Sequence, residues 1–143
     1  MTMKHPHGSH PAHSHGMTQP LGTGHRPLAL IAWETTRACT LSCAHCRAAA
    51  QECRDPEELS TQEGIKLLQE AASAGPHVIA ILSGGEPLLR PDLEELIAAG
   101  TAARMTVVIS GNDGLLLTDQ RIASLKKAGA KRFSFSIHSD QES

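Results

Sequence analysis

Three cysteines, Cys39, Cys43 and Cys46, fall in a C-x3-C-x2-C array, and a fourth, Cys53, follows close behind. Three thiolates so near in sequence can wrap three corners of an iron–sulfur cube, which takes four cysteines when fully ligated. A missing fourth ligand leaves one iron open to a small molecule, and Cys53 could complete the set. Zinc is the other physical option, with three thiolates plus His45 or Cys53 closing a tetrahedral site. The ligands alone leave both open. All four cysteines sit in one short window and none is placed to staple distant parts of the chain. With no export signal, that crowding reads as metal binding and not as a disulfide framework.

Further polar residues recur at regular intervals behind short apolar runs. Leu28–Trp33 is such a run and reads as a first strand, ahead of the cysteine loop. Val78–Leu82 reads as a second, broken by Ser83-Gly84-Gly85-Glu86-Pro87. Met105–Ser110 reads as a third, followed by a turn over Gly111–Gly114 that includes Asn112. Phe133–Ile137 reads as a fourth; its Ser134, Ser136 and His138 alternate with apolar residues, so one face is polar.

Three helices separate these strands. Ser60-Thr61-Gln62-Glu63 has the form of a capping box, with Ile65, Leu68 and Ala72 on one face behind it and Gly75-Pro76 as the stop. Pro91-Asp92 opens a second helix, which carries Leu93, Leu96 and Ile97. Thr118 caps a third, which carries Ile122, Leu125 and Ala128 and stops at Gly129. Repeated βα units imply an α/β fold with a parallel sheet and helices packed outside it. In such folds the active site lies beyond the carboxyl ends of the strands. The cysteines, Gly84-Gly85-Glu86-Pro87, Ser110 with Asn112, and His138 all fall there, and packing alone does not explain polar residues at four strand ends.

Composition narrows the function classes. Thirteen Lys and Arg against fifteen Asp and Glu give a formal net charge of -2, which lacks the basic surplus of a nucleic-acid binder. Aromatic residues are 2% of the chain, too few for a base-stacking platform. No apolar run is long enough to span a bilayer, and no signal-peptide segment opens the chain, so a cytoplasmic location is expected. Residues 1–27 hold six of the nine histidines and four of the eight prolines with almost nothing apolar, and read as a disordered tail. Such a tract can bind divalent metals weakly. Residues 28–143 then form the domain.

The segment from Thr36 to Arg47 (TRACTLSCAHCR), followed by Gly84-Gly85-Glu86-Pro87 after a second strand, resembles the radical S-adenosylmethionine (SAM) superfamily. Leu88–Leu93 resembles the stretch behind that family's second-strand motif, and Leu115-Leu116-Leu117-Thr118 the run after its third strand. The segments Ala32–Arg37 and Cys46–Ala50 resemble the branch that modifies haem precursors or peptides, often with a cysteine-rich C-terminal extension (SPASM-type). The resemblance implies that Cys39, Cys43 and Cys46 hold a 4Fe-4S cluster whose open iron binds SAM. An electron then cleaves SAM to a 5′-deoxyadenosyl radical, which abstracts hydrogen from a substrate. It implies an electron donor of the flavodoxin or ferredoxin kind.

Residue by residue, His45 matches the position that packs near the adenine. Gly84, Gly85, Glu86 and Pro87 match the motif that receives the methionyl amino group, with Glu86 as a carboxylate near a cation. Ser110 and Asn112 match polar contacts from the third strand, and Ser136 one from the fourth. His138 departs from the Asp or Asn common there, and Cys53 has no counterpart. The family core is a partial barrel of six βα units, of which this chain supplies about four. The expectation is therefore a truncated core, or one completed by a partner chain, without full turnover by itself. The alternatives are a zinc-binding module and an inactive fragment.

Overall fold

The structure, a computed structural model, describes residues 26–136. Most of the histidine-rich tail, and Ile137 and His138, lie outside the described residues. Four strands, β1 (Leu30–Thr36), β2 (Ile79–Gly84), β3 (Thr106–Gly111) and β4 (Arg132–Phe135), alternate with three helices, α1 (Thr61–Ser73), α2 (Leu93–Ala102) and α3 (Asp119–Ala128). The strands form one sheet in the order β1-β2-β3-β4, every pair parallel. Consecutive order with intervening helices is how a βα barrel is built, and among the described residues the sheet is open.

The helices share one face of the sheet. Leu68 and Ala71 of α1, Leu93, Leu96 and Ile97 of α2, and Leu125 of α3 pack in one cluster with Ala80, Leu82, Val107 and Ile109. A Cβ on Gly64 would lie 2.5 Å from the Trp33 ring, so glycine is what lets α1 settle on β1. The expected capping box is formed: Glu63 N–H donates to the Ser60 hydroxyl and Ser60 N–H to the Glu63 carboxylate. Thr118 caps α3, and Gly129 ends it in the left-handed region. Asp92 precedes α2 but makes no side-chain cap; its carboxylate is turned to Arg90 and Thr61.

The other face is the barrel interior, and it is where β1 departs from the expected Leu28–Trp33. β1 continues through Glu34, Thr35 and Thr36, because Glu34 pairs with Ser83 and Thr36 with Gly84. One extra residue on β1 there shifts the register and bends the strand into the cysteine loop. Likewise Ser110 pairs with Ser134 on β3 and β4. Apolar periodicity stops short of Glu34 and Ser83, which face the barrel interior, whereas Ser110 and Ser134 lie inside the strands expected from the sequence. Among the described residues no helix is long and apolar enough to cross a membrane.

Candidate functional site

The cysteine loop follows β1, which ends at Thr36, and closes on itself where Cys39 meets Gln51. Cys39 N–H donates to the Gln51 carbonyl at 2.8 Å, and Gln51 N–H to the Arg37 carbonyl at 2.9 Å. Below this neck sits Glu58. Its Oε1 accepts from the Thr36 hydroxyl at 2.9 Å and from the amides of Arg37 (2.8 Å) and Asp55 (3.1 Å). Its Oε2 accepts from Arg54 Nε at 2.8 Å. Burial alone raises this carboxyl, but the Arg54 side chain, the two amides and the Thr36 hydroxyl outweigh it and hold the pKa down to about 2. Arg37 spans the loop, donating to Asp55 at 3.1 Å and to the Ala49 carbonyl at 3.0 Å.

Inside the loop, backbone amides turn toward sulfur. Leu41 N–H donates to Cys39 Sγ and Ala50 N–H to Cys46 Sγ, both at 3.4 Å. Donors at sulfur favour the electron-rich sulfur of a metal thiolate. Cys39 and Cys43 are half-buried, and Cys46 and Cys53 are exposed.

The loop after β2 lies hard against the base of the cysteine loop. Gly85 N–H donates to the Thr36 carbonyl and Glu86 N–H to the Ala38 carbonyl, both at 2.7 Å. A Cβ on Gly84 would be 2.2 Å from Thr36 O, and one on Gly85 would be 2.3 Å from Ala38 O. Gly84 also takes a φ of 126°, so neither position admits a side chain.

These elements line an open cavity of about 600 Å³ at the carboxyl ends of the strands. It is lined by Cys39, Cys43, His45, Cys46, Gly84, Gly85, Ser110, Asn112 and Ser136, which gathers nine of the predicted residues from four strand ends. Glu34, Leu41, Arg47 and Ser83 also line it and were not assigned roles from the sequence. Period-two alternation carries the missed signal: Glu34 shares a face with Ala32, which also lines the cavity, and Ser83 is paired with Glu34. Cys53 does not line the cavity.

Glu86 and Pro87 do not line it either. Glu86 is fully buried. Its Oε1 accepts from Leu88 N–H at 3.0 Å, and its Oε2 from the amides of Asn112 and Asp113, both at 2.7 Å. The carboxylate thus faces three backbone amides and holds the loop after β3 against the loop after β2. Asn112 adds a second tie, from Nδ2 to the Gly85 carbonyl at 3.0 Å. Pro87 is buried at the start of a single 3-10 turn that ends at Leu89.

The donor set suits an iron–sulfur cluster. Three soft thiols line one cavity, and two of them receive backbone N–H bonds.

The profile of the Radical SAM superfamily matches residues 33–143. The AdoMet-dependent heme synthase of Oleidesulfovibrio alaskensis is 43% identical over 93% of this chain and 36% of its own length. The enzyme of the same name from Methanosarcina barkeri is 46% identical over 76% of this chain and 30% of its own. The chain thus spans about a third of the length of these curated relatives. Among solved structures, BtrN in an open conformation superposes with a TM-score of 0.62 at 24% identity, over 81% of this chain and 53% of that one, a likeness of fold. With its cysteine loop, glycine turn and polar strand ends gathered round one cavity, the chain belongs to the radical SAM superfamily.

Proposed function

We propose that this chain forms the cofactor-binding part of a radical SAM enzyme acting on a haem precursor. Cys39, Cys43 and Cys46 would hold a 4Fe-4S cluster, and the adjoining cavity would hold SAM. The observation that carries the reading is that the three thiols, the Gly84-Gly85 backbone, Ser110, Asn112 and Ser136 line one cavity. When bound, the cluster would pass one electron from the donor to SAM, whose C–S bond would break to give methionine and a 5′-deoxyadenosyl radical for hydrogen abstraction. The chain's own residues position these groups. Glycine at 84 and 85 lets the turn after β2 lie against the cysteine loop, and both glycines and His45 line the same cavity as the thiols. Ser110, Asn112 and Ser136 offer hydroxyl and amide groups for a polar ligand. The haem-precursor substrate rests on the two heme synthases. An electron donor of the flavodoxin or ferredoxin kind would supply the reductant.

The test is anaerobic reconstitution with iron and sulfide, followed by electron paramagnetic resonance of the reduced chain with and without SAM. The expected result is a 4Fe-4S signal that changes when SAM is added, and that is lost in C39A, C43A and C46A but kept in C53A. Zinc uptake without iron and sulfide, or a cluster that persists when any of the three cysteines is replaced, would overturn the proposal.

A further inference from the structure

The cysteine loop is closed at its neck by backbone bonds, and beside that neck a side-chain bond ties it to the loop after β3. Thr40, next to Cys39, donates its hydroxyl to Asp113 Oδ2 at 2.7 Å, across 73 residues of sequence. Asp113 is itself fixed from two sides. Its amide donates to Glu86 Oε2 at 2.7 Å, and its Oδ1 accepts from Leu115 N–H at 2.9 Å. Glu86 is wholly buried, and Gly111 lets it sit close, since a Cβ there would be 2.8 Å from Oε1. The result is a continuous chain of bonds: cysteine loop, Thr40, Asp113, Glu86, and the loop after β2. The loops that follow β1, β2 and β3 are thereby joined into one cavity wall.

We infer that Asp113 is a positioning residue that locks the cysteine loop to the loop after β3 through Thr40, holding Cys39 in place before any cofactor arrives. This goes beyond the proposed function, because it assigns the order of the thiols in the metal-free chain to two residues that do not line the cavity. It rests on that proposal only for its consequence after loading.

The test is the rate of alkylation of each cysteine in the metal-free full chain, read by mass spectrometry. T40V removes the tether and leaves Asp113 to cap the following turn, and T40S restores the hydroxyl. Cys39 should be alkylated about three- to tenfold faster in T40V, the effect of losing one net hydrogen bond, and at the wild-type rate in T40S. Cys53, exposed and off the cavity, should be unchanged, and urea denaturation of each variant reports whether the fold is intact. D113N, which keeps the side-chain shape, should fall between T40V and wild type. An equal rate at Cys39 in wild type and T40V would overturn the inference, as would equal acceleration at Cys53. After reconstitution, T40V should lose iron to a chelator severalfold faster than wild type. If wild type takes up no cluster while T40V still accelerates Cys39, the cofactor proposal fails and the tether stands. If wild type loads normally and T40V alters neither rate, the tether fails alone.

Discussion

Glu86 combines full burial with a full set of donors, and that sets what its replacement should do. Each of its acceptor contacts is a backbone N–H. E86Q keeps the shape but replaces one oxygen by an NH2 group facing amides that also donate. An unsatisfied buried donor costs about 1–3 kcal/mol, and acceptance by an ionised carboxylate is stronger than by a neutral amide. E86Q should therefore lower stability by about 2–3 kcal/mol in urea denaturation of the metal-free chain. A direct ligand contact would behave differently, leaving the metal-free chain nearly unchanged and weakening only SAM binding. The sequence marks Glu86 as special but not which way its carboxylate turns. That depends on amides at Asn112 and Asp113, in the loop after another strand.

The cysteine loop is positioned by two elements of different legibility. Its thiols and its place after β1 are plain from spacing and from the apolar run that precedes them. The staple beneath it is not, because Glu58 reads as one more acidic residue in a polar stretch and gains its role only when Thr36 and Arg37 arrive beside it. Its carboxyl is held at about 2 against an ordinary 4.5, so the folded state binds the proton more weakly than the unfolded state. The stabilisation is complete above pH 4.5 and is lost as pH falls through about 2. The charged side chains facing Glu58 are Arg54, its ion-pair partner, and Asp55, which is paired to Arg37. E58Q should be less stable than wild type at neutral pH, and the gap should close steadily as pH drops from 4.5 toward 2. Paired urea denaturations at several pH values measure it. A gap that does not vary with pH would mean that the ionised carboxylate is not what closes the loop.

At the scale of the whole molecule, the βα alternation, the parallel sheet and the helix positions follow from periodicity, the residues at the strand ends follow from that alternation, and the barrel-like strand order follows from the family resemblance. The clasp beneath the site does not follow, because an arginine is normally a surface residue. Arg90 is fully buried. Its Nη1 donates to the Thr35 carbonyl at 2.6 Å, and its Nη2 to the Leu59 carbonyl at 2.8 Å and to Asp92 Oδ2 at 3.0 Å. Its Nε lies 2.7 Å from Asp92 Oδ1 as an ion pair, out of line for a hydrogen bond. The guanidinium sits 5.4 Å from the centre of the Trp33 ring. One side chain thus joins the end of β1, the residue before the cap of α1, and the entry to α2. Asp92 answers in kind: burial raises its carboxyl, while Arg90 and the Thr61 hydroxyl bring it below the ordinary value. R90M fills similar space but strands the Asp92 carboxylate and two backbone carbonyls. Breaking one partner of a buried pair costs about 3–5 kcal/mol, so R90M should lose that much in urea denaturation. R90M with D92N removes the stranded charge and should recover part of the loss, whereas independent contributions would make the double variant worse than R90M. Because Arg90 holds Thr35, one residue before the Thr36 hydroxyl that meets Glu58, R90M should also speed alkylation of all three loop cysteines together, unlike the selective effect on Cys39 expected of T40V.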